Sequence, residues 1–90
     1  MKGNLERAKV FYQTAIRLDS SVSDFHCNLG AVLSDLSDLQ ASEMAYRTAL
    51  ELDGNHPSAL FNLGMLLQDQ GKFDDAVTMY RRLVSVEANN

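Results

Sequence analysis

Apolar residues recur along the whole chain at the spacing of a helix rather than in the alternation typical of strands. One example begins at residue 39, where Leu39, Ser42, Tyr46, Ala49 and Leu50 fall at positions i, i+3, i+7, i+10 and i+11. Residues at that spacing lie on one side of a helix, which gives the helix an apolar face. The pattern predicts five helices, near residues 4–18, 24–36, 39–53, 57–70 and 73–87.

Short turns separate the predicted helices. Ser20-Ser21 and Gly54-Asn55 close long helical runs, and Pro57 suits the first turn of the helix that follows. Gly71 is predicted to form a tight turn, and Ser37 and Gly3 occupy places equivalent to it. Helices joined by such short connections pack antiparallel, so the sequence predicts an all-α protein built from helical hairpins.

The chain matches itself when it is shifted by 34 residues. Asn28-Leu29-Gly30 then falls on Asn62-Leu63-Gly64, and Tyr46-Arg47 falls on Tyr80-Arg81. A repeat of this length is typical of stacked helical pairs, in which each pair buries its apolar face against its neighbours. We expect one array over residues 1–90, with 1–22 as the second half of a repeat and 23–56 and 57–90 as full repeats.

The residues of the last repeat resemble a known family. Leu60-x2-Leu63-Gly64-x2-Leu67, followed by Gly71-Lys72-Phe73 and Ala76-x3-Tyr80, is similar to the tetratricopeptide repeat in both spacing and residue type. The resemblance implies an α–α superhelix of about five antiparallel helices. The helical glycines fit this arrangement, because a glycine costs a helix about 1 kcal/mol unless close packing requires it. We expect Gly30 to face Ser42, and Gly64 to face Ala76, with Tyr46 and Tyr80 covering the two seams.

Charge and composition exclude several classes of protein. Twelve acidic residues outnumber eight basic ones, which gives a net charge of −4, and Arg81-Arg82 is the one adjacent basic pair. Nucleic-acid binding needs a clustered basic surface, so we expect no nucleic-acid partner. No apolar run exceeds three residues, whereas a membrane span needs about 20, so we expect no membrane insertion. Since no signal peptide is visible, we expect a cytoplasmic protein.

The resemblance also implies where a partner would bind, because the first helix of each tetratricopeptide repeat lines the concave side of the superhelix. The predicted groove residues are Asp24, Cys27, Asn28, Ala31, Asp35, Phe61, Asn62, Met65, Gln68 and Asp69, and Ser34 and Ser58 are expected to face inward on the same side. The paired amides resemble the asparagine ladder of O-linked N-acetylglucosamine transferases, and an amide can both donate to and accept from a peptide backbone. Local hydrogen bonding within the repeat is an equally good explanation of the two asparagines. No Lys or Arg lies among these residues, which argues against a clamp for a partner's terminal carboxylate.

Catalysis and metal binding find little support in the sequence. His26 lies beside Cys27, but adjacent helical residues point in different directions, and His56 has no second ligand at metal spacing. A lone cysteine also excludes an internal disulfide, and we expect no cofactor. We expect a non-catalytic scaffold that binds a protein or peptide in the groove.

Three further expectations stay open. The chain could instead be a substrate-binding segment of a larger enzyme, such as a glycosyltransferase, or it could serve a purely architectural role. Residues 5–18 at one end, and Leu83, Val84 and Val86 at the other, are expected to leave apolar faces uncovered. Exposed faces of this kind favour self-association into a homo-oligomer.

Overall fold

The computed structural model describes residues 2–89 and contains five helices within them. The helices are α1 (Lys2–Leu18), α2 (Ser23–Asp35), α3 (Leu39–Leu52), α4 (Pro57–Asp69) and α5 (Phe73–Ala88). Each helix packs on the next one in the chain, and α2 also touches α4. This confirms the all-α superhelix, and the helices begin and end within two residues of the predicted positions.

Two equivalent turns use the left-handed backbone conformation. Ser37 has a φ of 65° in the turn between α2 and α3, and Gly71 has a φ of 79° between α4 and α5. Glycine adopts this conformation without steric cost, whereas a side chain at Ser37 makes it less favourable. The prediction of a turn at Gly3 was wrong, because Gly3 lies inside α1. Glycine also accepts helical angles, so its position in the repeat did not by itself define a turn.

A glycine and a tyrosine set the approach of the two helices in each complete hairpin. A Cβ placed on Gly30 would lie 2.6 Å from the ring of Tyr46, and one on Gly64 would lie 2.6 Å from the ring of Tyr80. The Ser42 hydroxyl also donates a hydrogen bond of 2.7 Å to the Gly30 carbonyl. The predicted placing of Tyr46 and Tyr80 against the two glycines is therefore confirmed, and so is that of Ser42 against Gly30. Each tyrosine fills the space that a side chain on its glycine would need.

The core lies along α4, and it thins toward α1. Leu60, Leu63 and Leu67 of α4 are fully buried, together with Ala49 of α3 and Ala59. In contrast, α1 has no buried residue, since it packs on α2 alone. The stability of the array therefore comes mainly from the helices on either side of α4.

His56 connects the two complete hairpins. Its Nδ1 accepts a hydrogen bond of 3.2 Å from the backbone N–H of Ala59, which caps the start of α4. Its Nε2 lies 2.6 Å from a carboxylate oxygen of Asp24 on α2. A carboxylate only accepts, so the imidazole carries its proton on Nε2 and donates it to Asp24. One side chain thus satisfies a helix terminus and links α4 to α2.

Candidate binding groove

A cavity of about 260 Å³ opens on the side of the array where α2, α3 and α4 meet. It is lined by Ala31, Ser34, Asp35, Leu39, Tyr46, Asn62, Met65, Leu66 and Asp69. We call this set the groove. Six of its residues were predicted from the sequence to face inward, namely Ala31, Ser34, Asp35, Asn62, Met65 and Asp69.

The repeat explains how these side chains come together. Asp35 and Asp69 end α2 and α4 at equivalent positions, so stacking the two helices places both carboxylates along one edge. Neither carboxylate takes part in an ion pair within residues 2–89. The two exposed acids therefore give the groove a negative edge without a compensating cation.

The groove combines apolar side chains with the polar groups of Ser34, Tyr46 and Asn62. Leu66 is buried, whereas Met65 is partly exposed and presents a flexible thioether. Burial raises the pKa of the Tyr46 phenol, so this group is a neutral hydrogen-bonding partner at physiological pH. The half-buried amide of Asn62 adds one donor group and one acceptor. The groove can hold an apolar side chain and also bind polar atoms beside it.

Cys27 does not face the groove, and this prediction needs correction. Its side chain is 3% exposed and belongs to the hydrophobic core, where α4 covers it. Burial, with a smaller contribution from the Asp24 carboxylate, raises the pKa of the Cys27 thiol to about 11. The thiol is therefore protonated at neutral pH and packs as a small apolar side chain.

The other predicted residues lie beside the groove rather than in it. Asp24 binds His56, and Asn28 is exposed outside the cavity, so the structure does not bring Asn28 and Asn62 into one pocket. Gln68 accepts a 3.0 Å hydrogen bond from the Tyr80 hydroxyl, and the ring of Phe61 lies 6.4 Å from that of Tyr80. Gln68 and Phe61 therefore belong to the surface next to α5.

Three groove residues were not predicted, namely Leu39, Tyr46 and Leu66. They come from the second helix of a repeat or from the buried side of the first, which the inward-facing pattern of the first helix does not include. For Tyr46 a signal was available, because the repeat already placed this tyrosine over the seam between the two helices of the hairpin. Leu66 is 6% exposed and offered no comparable signal.

No group of three or more His, Cys, Asp or Glu side chains in residues 2–89 is arranged to hold a metal ion. No helix in this part of the chain has the length and apolar content to cross a membrane.

The five helices form an array of helical hairpins, with a cavity where α2, α3 and α4 meet. The tetratricopeptide repeat family matches residues 21–86, and the chain belongs to this family. The family is in general a non-catalytic module for interactions between proteins. No curated protein sequence matches the chain.

Solved structures agree with this assignment at the level of the fold. The TPR domain of Arabidopsis OM64 superposes with a TM-score of 0.90 at 23% identity, over 98% of this chain and 73% of that one. Two structures of MamA superpose with a TM-score of 0.87 at 21% identity and cover 93% of this chain. The chain spans 49% and 46% of these MamA chains, or about half their length.

Proposed function

We propose that the chain is an interaction scaffold whose groove binds a peptide segment carrying an apolar anchor next to a Lys or Arg. The observation that carries the proposal is a cavity with both apolar and polar lining, bordered by two carboxylates, Asp35 and Asp69, that have no basic partner within residues 2–89. Burial of an apolar side chain supplies affinity, and the carboxylates favour a cation at the edge. The amide of Asn62 holds the peptide backbone without selecting its sequence.

A peptide suits this groove better than a small molecule does. The cavity is open, about 260 Å³ in volume, and smaller than typical enclosed ligand sites of roughly 300–1,000 Å³. A segment of extended or helical chain can place one side chain in such a cavity and lay its remaining surface along α2 and α4. The apolar anchor therefore fixes the position of the peptide in the groove, and the neighbouring Lys or Arg adds specificity.

The experiment measures binding of labelled ten-residue peptides by fluorescence anisotropy. Each peptide of the first set contains one leucine and one lysine, and the spacing between them differs from peptide to peptide. A second set has glutamate in place of the lysine. We expect some of the lysine peptides to bind, with an affinity that falls as the salt concentration rises. The glutamate peptides should not bind. The double variant Asp35→Asn/Asp69→Asn should bind about tenfold more weakly, and Asn62→Ala should also lose affinity.

The matched control is Asp74→Asn/Asp75→Asn, which removes the same charge from the first turn of α5, at residues that do not line the groove. This variant should bind the lysine peptides as the wild type does. Equal weakening by both double variants would show a general effect of charge, and the groove would not be the site. Binding of the glutamate peptides at equal strength would also contradict the proposal.

A second candidate function is self-association through the face formed by α5. Val84 is 67% exposed, and with Val77, Tyr80 and Arg81 it lines an almost wholly apolar depression. By the repeat, Tyr80 and Val84 correspond to Tyr46 and Leu50, which pack in the core next to α4. Sedimentation velocity over a range of concentrations should show a dimer that Val84→Glu disrupts. A monomer at the highest concentration would reject this candidate.

A further inference from the structure

The two complete hairpins differ in the partner of their tyrosine hydroxyl. Tyr46 and Tyr80 occupy equivalent positions in the repeat, and each ring packs against the glycine of its hairpin. The Tyr80 hydroxyl donates a hydrogen bond of 3.0 Å to Oε1 of Gln68. Ser34 stands where the later repeat has Gln68, and within residues 2–89 no hydrogen bond joins Ser34 to Tyr46. The earlier tyrosine therefore lacks the glutamine acceptor that the later one has on its own hairpin.

The groove opens beside this shorter side chain. Ser34 and Tyr46 both line the cavity of about 260 Å³, together with Asn62 of α4. Tyr46 is 3% exposed, so a molecule that reaches its side chain does so through this cavity. A serine at this position, where the later repeat has a glutamine, thus leaves space next to a buried phenol.

The charges around the phenol narrow the kind of group that fits this space. Burial raises the pKa of the Tyr46 phenol most, whereas the Asn62 amide lowers it, as a hydrogen-bond donor to the phenol oxygen does. The phenol is therefore protonated at neutral pH, and it offers its own proton to an acceptor in the cavity. The Asp35 and Asp69 carboxylates at the edge disfavour an anionic acceptor, so a neutral carbonyl oxygen fits best.

We infer that the groove binds the carboxamide of a glutamine or asparagine side chain of the peptide partner, whose oxygen accepts a hydrogen bond from the Tyr46 hydroxyl as Gln68 does from Tyr80. The inference rests on the proposed function, and it adds a third recognised group to the apolar anchor and the basic residue. The NH₂ group of the same carboxamide can donate to a carboxylate at the edge of the groove. A carboxamide therefore complements both the phenol and the acids, which a carboxylate does not.

The probes are variants of the leucine–lysine peptide that the wild-type protein binds most tightly. Glutamine is placed at each remaining position in turn, and the matched peptides have methionine, which has a similar shape without the amide, or glutamate, which is charged. At one position we expect the glutamine peptide to bind about three- to tenfold more tightly than the methionine peptide, as one neutral hydrogen bond gives. The glutamate peptide should bind more weakly than both. Fluorescence anisotropy measures all three affinities.

Two tyrosine variants test the hydroxyl. Tyr46→Phe should abolish the advantage of the glutamine peptide and leave the affinity of the methionine peptide unchanged. Tyr80→Phe is the matched control, because it removes the equivalent hydroxyl, which Gln68 already binds. This variant should keep the advantage of the glutamine peptide. Circular dichroism and urea unfolding of both variants check that the fold is intact.

A substitution taken from the later repeat tests the space itself. Ser34→Gln should fill the cavity and give Tyr46 an acceptor from within the chain, so this variant should bind the glutamine peptide at least about tenfold more weakly. Ser34→Ala is the matched control, since it keeps the space, and it should bind as the wild type does. Wild-type affinity in Ser34→Gln would show that the peptide does not enter beside Ser34.

The remaining results separate this inference from the proposed function. Equal binding of the glutamine and methionine peptides at every position would overturn the inference and leave leucine–lysine binding in place. An equal loss for both peptides in Tyr46→Phe would show that the hydroxyl binds the peptide backbone instead of a side chain. If the wild type binds no leucine–lysine peptide, the proposed function is wrong and the inference fails with it.

Discussion

At the scale of single residues, Gly30 and Gly64 are constrained by the tyrosine rings packed against them. Gly30→Ala gains up to about 1 kcal/mol in helix propensity but forces its Cβ against the ring of Tyr46. Tyr46 is buried and cannot move into solvent, so overpacking of about 1–3 kcal/mol dominates. We expect Gly30→Ala to lower the free energy of unfolding by about 1–2 kcal/mol, measured in urea.

Two matched substitutions test this reasoning. Gly64→Ala should cost less than Gly30→Ala, because Tyr80 is only half-buried and its ring can rotate outward. Gly3→Ala should cost nothing, since no atom lies within 4 Å of the added Cβ. Unchanged or increased stability of Gly30→Ala would contradict the role assigned to the glycine–tyrosine contact.

The thiol of Cys27 gives a prediction about reactivity and pH. Raising its pKa from 9.0 to about 11 lowers the thiolate fraction at neutral pH by about 100-fold, because each pKa unit is a factor of ten. Alkylation of the native protein by iodoacetamide should therefore be at least that much slower than alkylation of the chain in denaturant. The native rate should continue to rise between pH 9 and pH 11. Equal native and denatured rates would show that Cys27 is accessible.

At the scale of helices, His56 combines a cap with a link between hairpins. His56→Ala leaves the Ala59 N–H without its partner and should lower the free energy of unfolding by about 1–2 kcal/mol. His56→Asn restores the cap but cannot reach Asp24, so it should cost less. The measurement is urea unfolding of both variants.

Combining Asp24→Ala with His56→Asn gives a double-mutant cycle that measures the interaction between His56 and Asp24. In the wild type, Asp24→Ala should cost less than about 1 kcal/mol, because the Asp24 side chain is largely exposed. In the His56→Asn background it should cost nothing further. An equal cost in both backgrounds would mean that the two side chains do not interact energetically.

Helices and hairpin packing were predictable from this sequence because they depend on local periodicity and on a repeat. Gly64 and Tyr80 recur at the spacing of Gly30 and Tyr46, so one pattern predicted both contacts. The link from His56 to Asp24 was not predictable, since it joins residues 32 apart and the position equivalent to His56 is Val22. Burial of Cys27 depends on how α4 covers α2, which the pattern of a single helix does not contain.

At the scale of the whole molecule, the array is unevenly supported along its length. Each helix of a repeat array is stabilised by its neighbours, so its local stability follows the surface that they bury. α4 packs between α3 and α5 and also touches α2, whereas α1 packs on one side of α2 only. The described molecule measures 35 × 28 × 18 Å along its principal axes. Opening of α1 therefore requires the loss of a single interface.

Native-state hydrogen exchange would reveal this gradient. Amides in α4 should exchange only through global unfolding, because Leu60, Leu63 and Leu67 are fully buried, whereas amides in α1 should exchange through a smaller local opening. Leu63→Ala should lower global stability by about 2–5 kcal/mol, and the protection of α4 should fall with it. The local opening of α1 should change much less, since that helix does not contact α4. Equal opening free energies in α1 and α4 would instead show one cooperative unit, in which support is shared along the whole array.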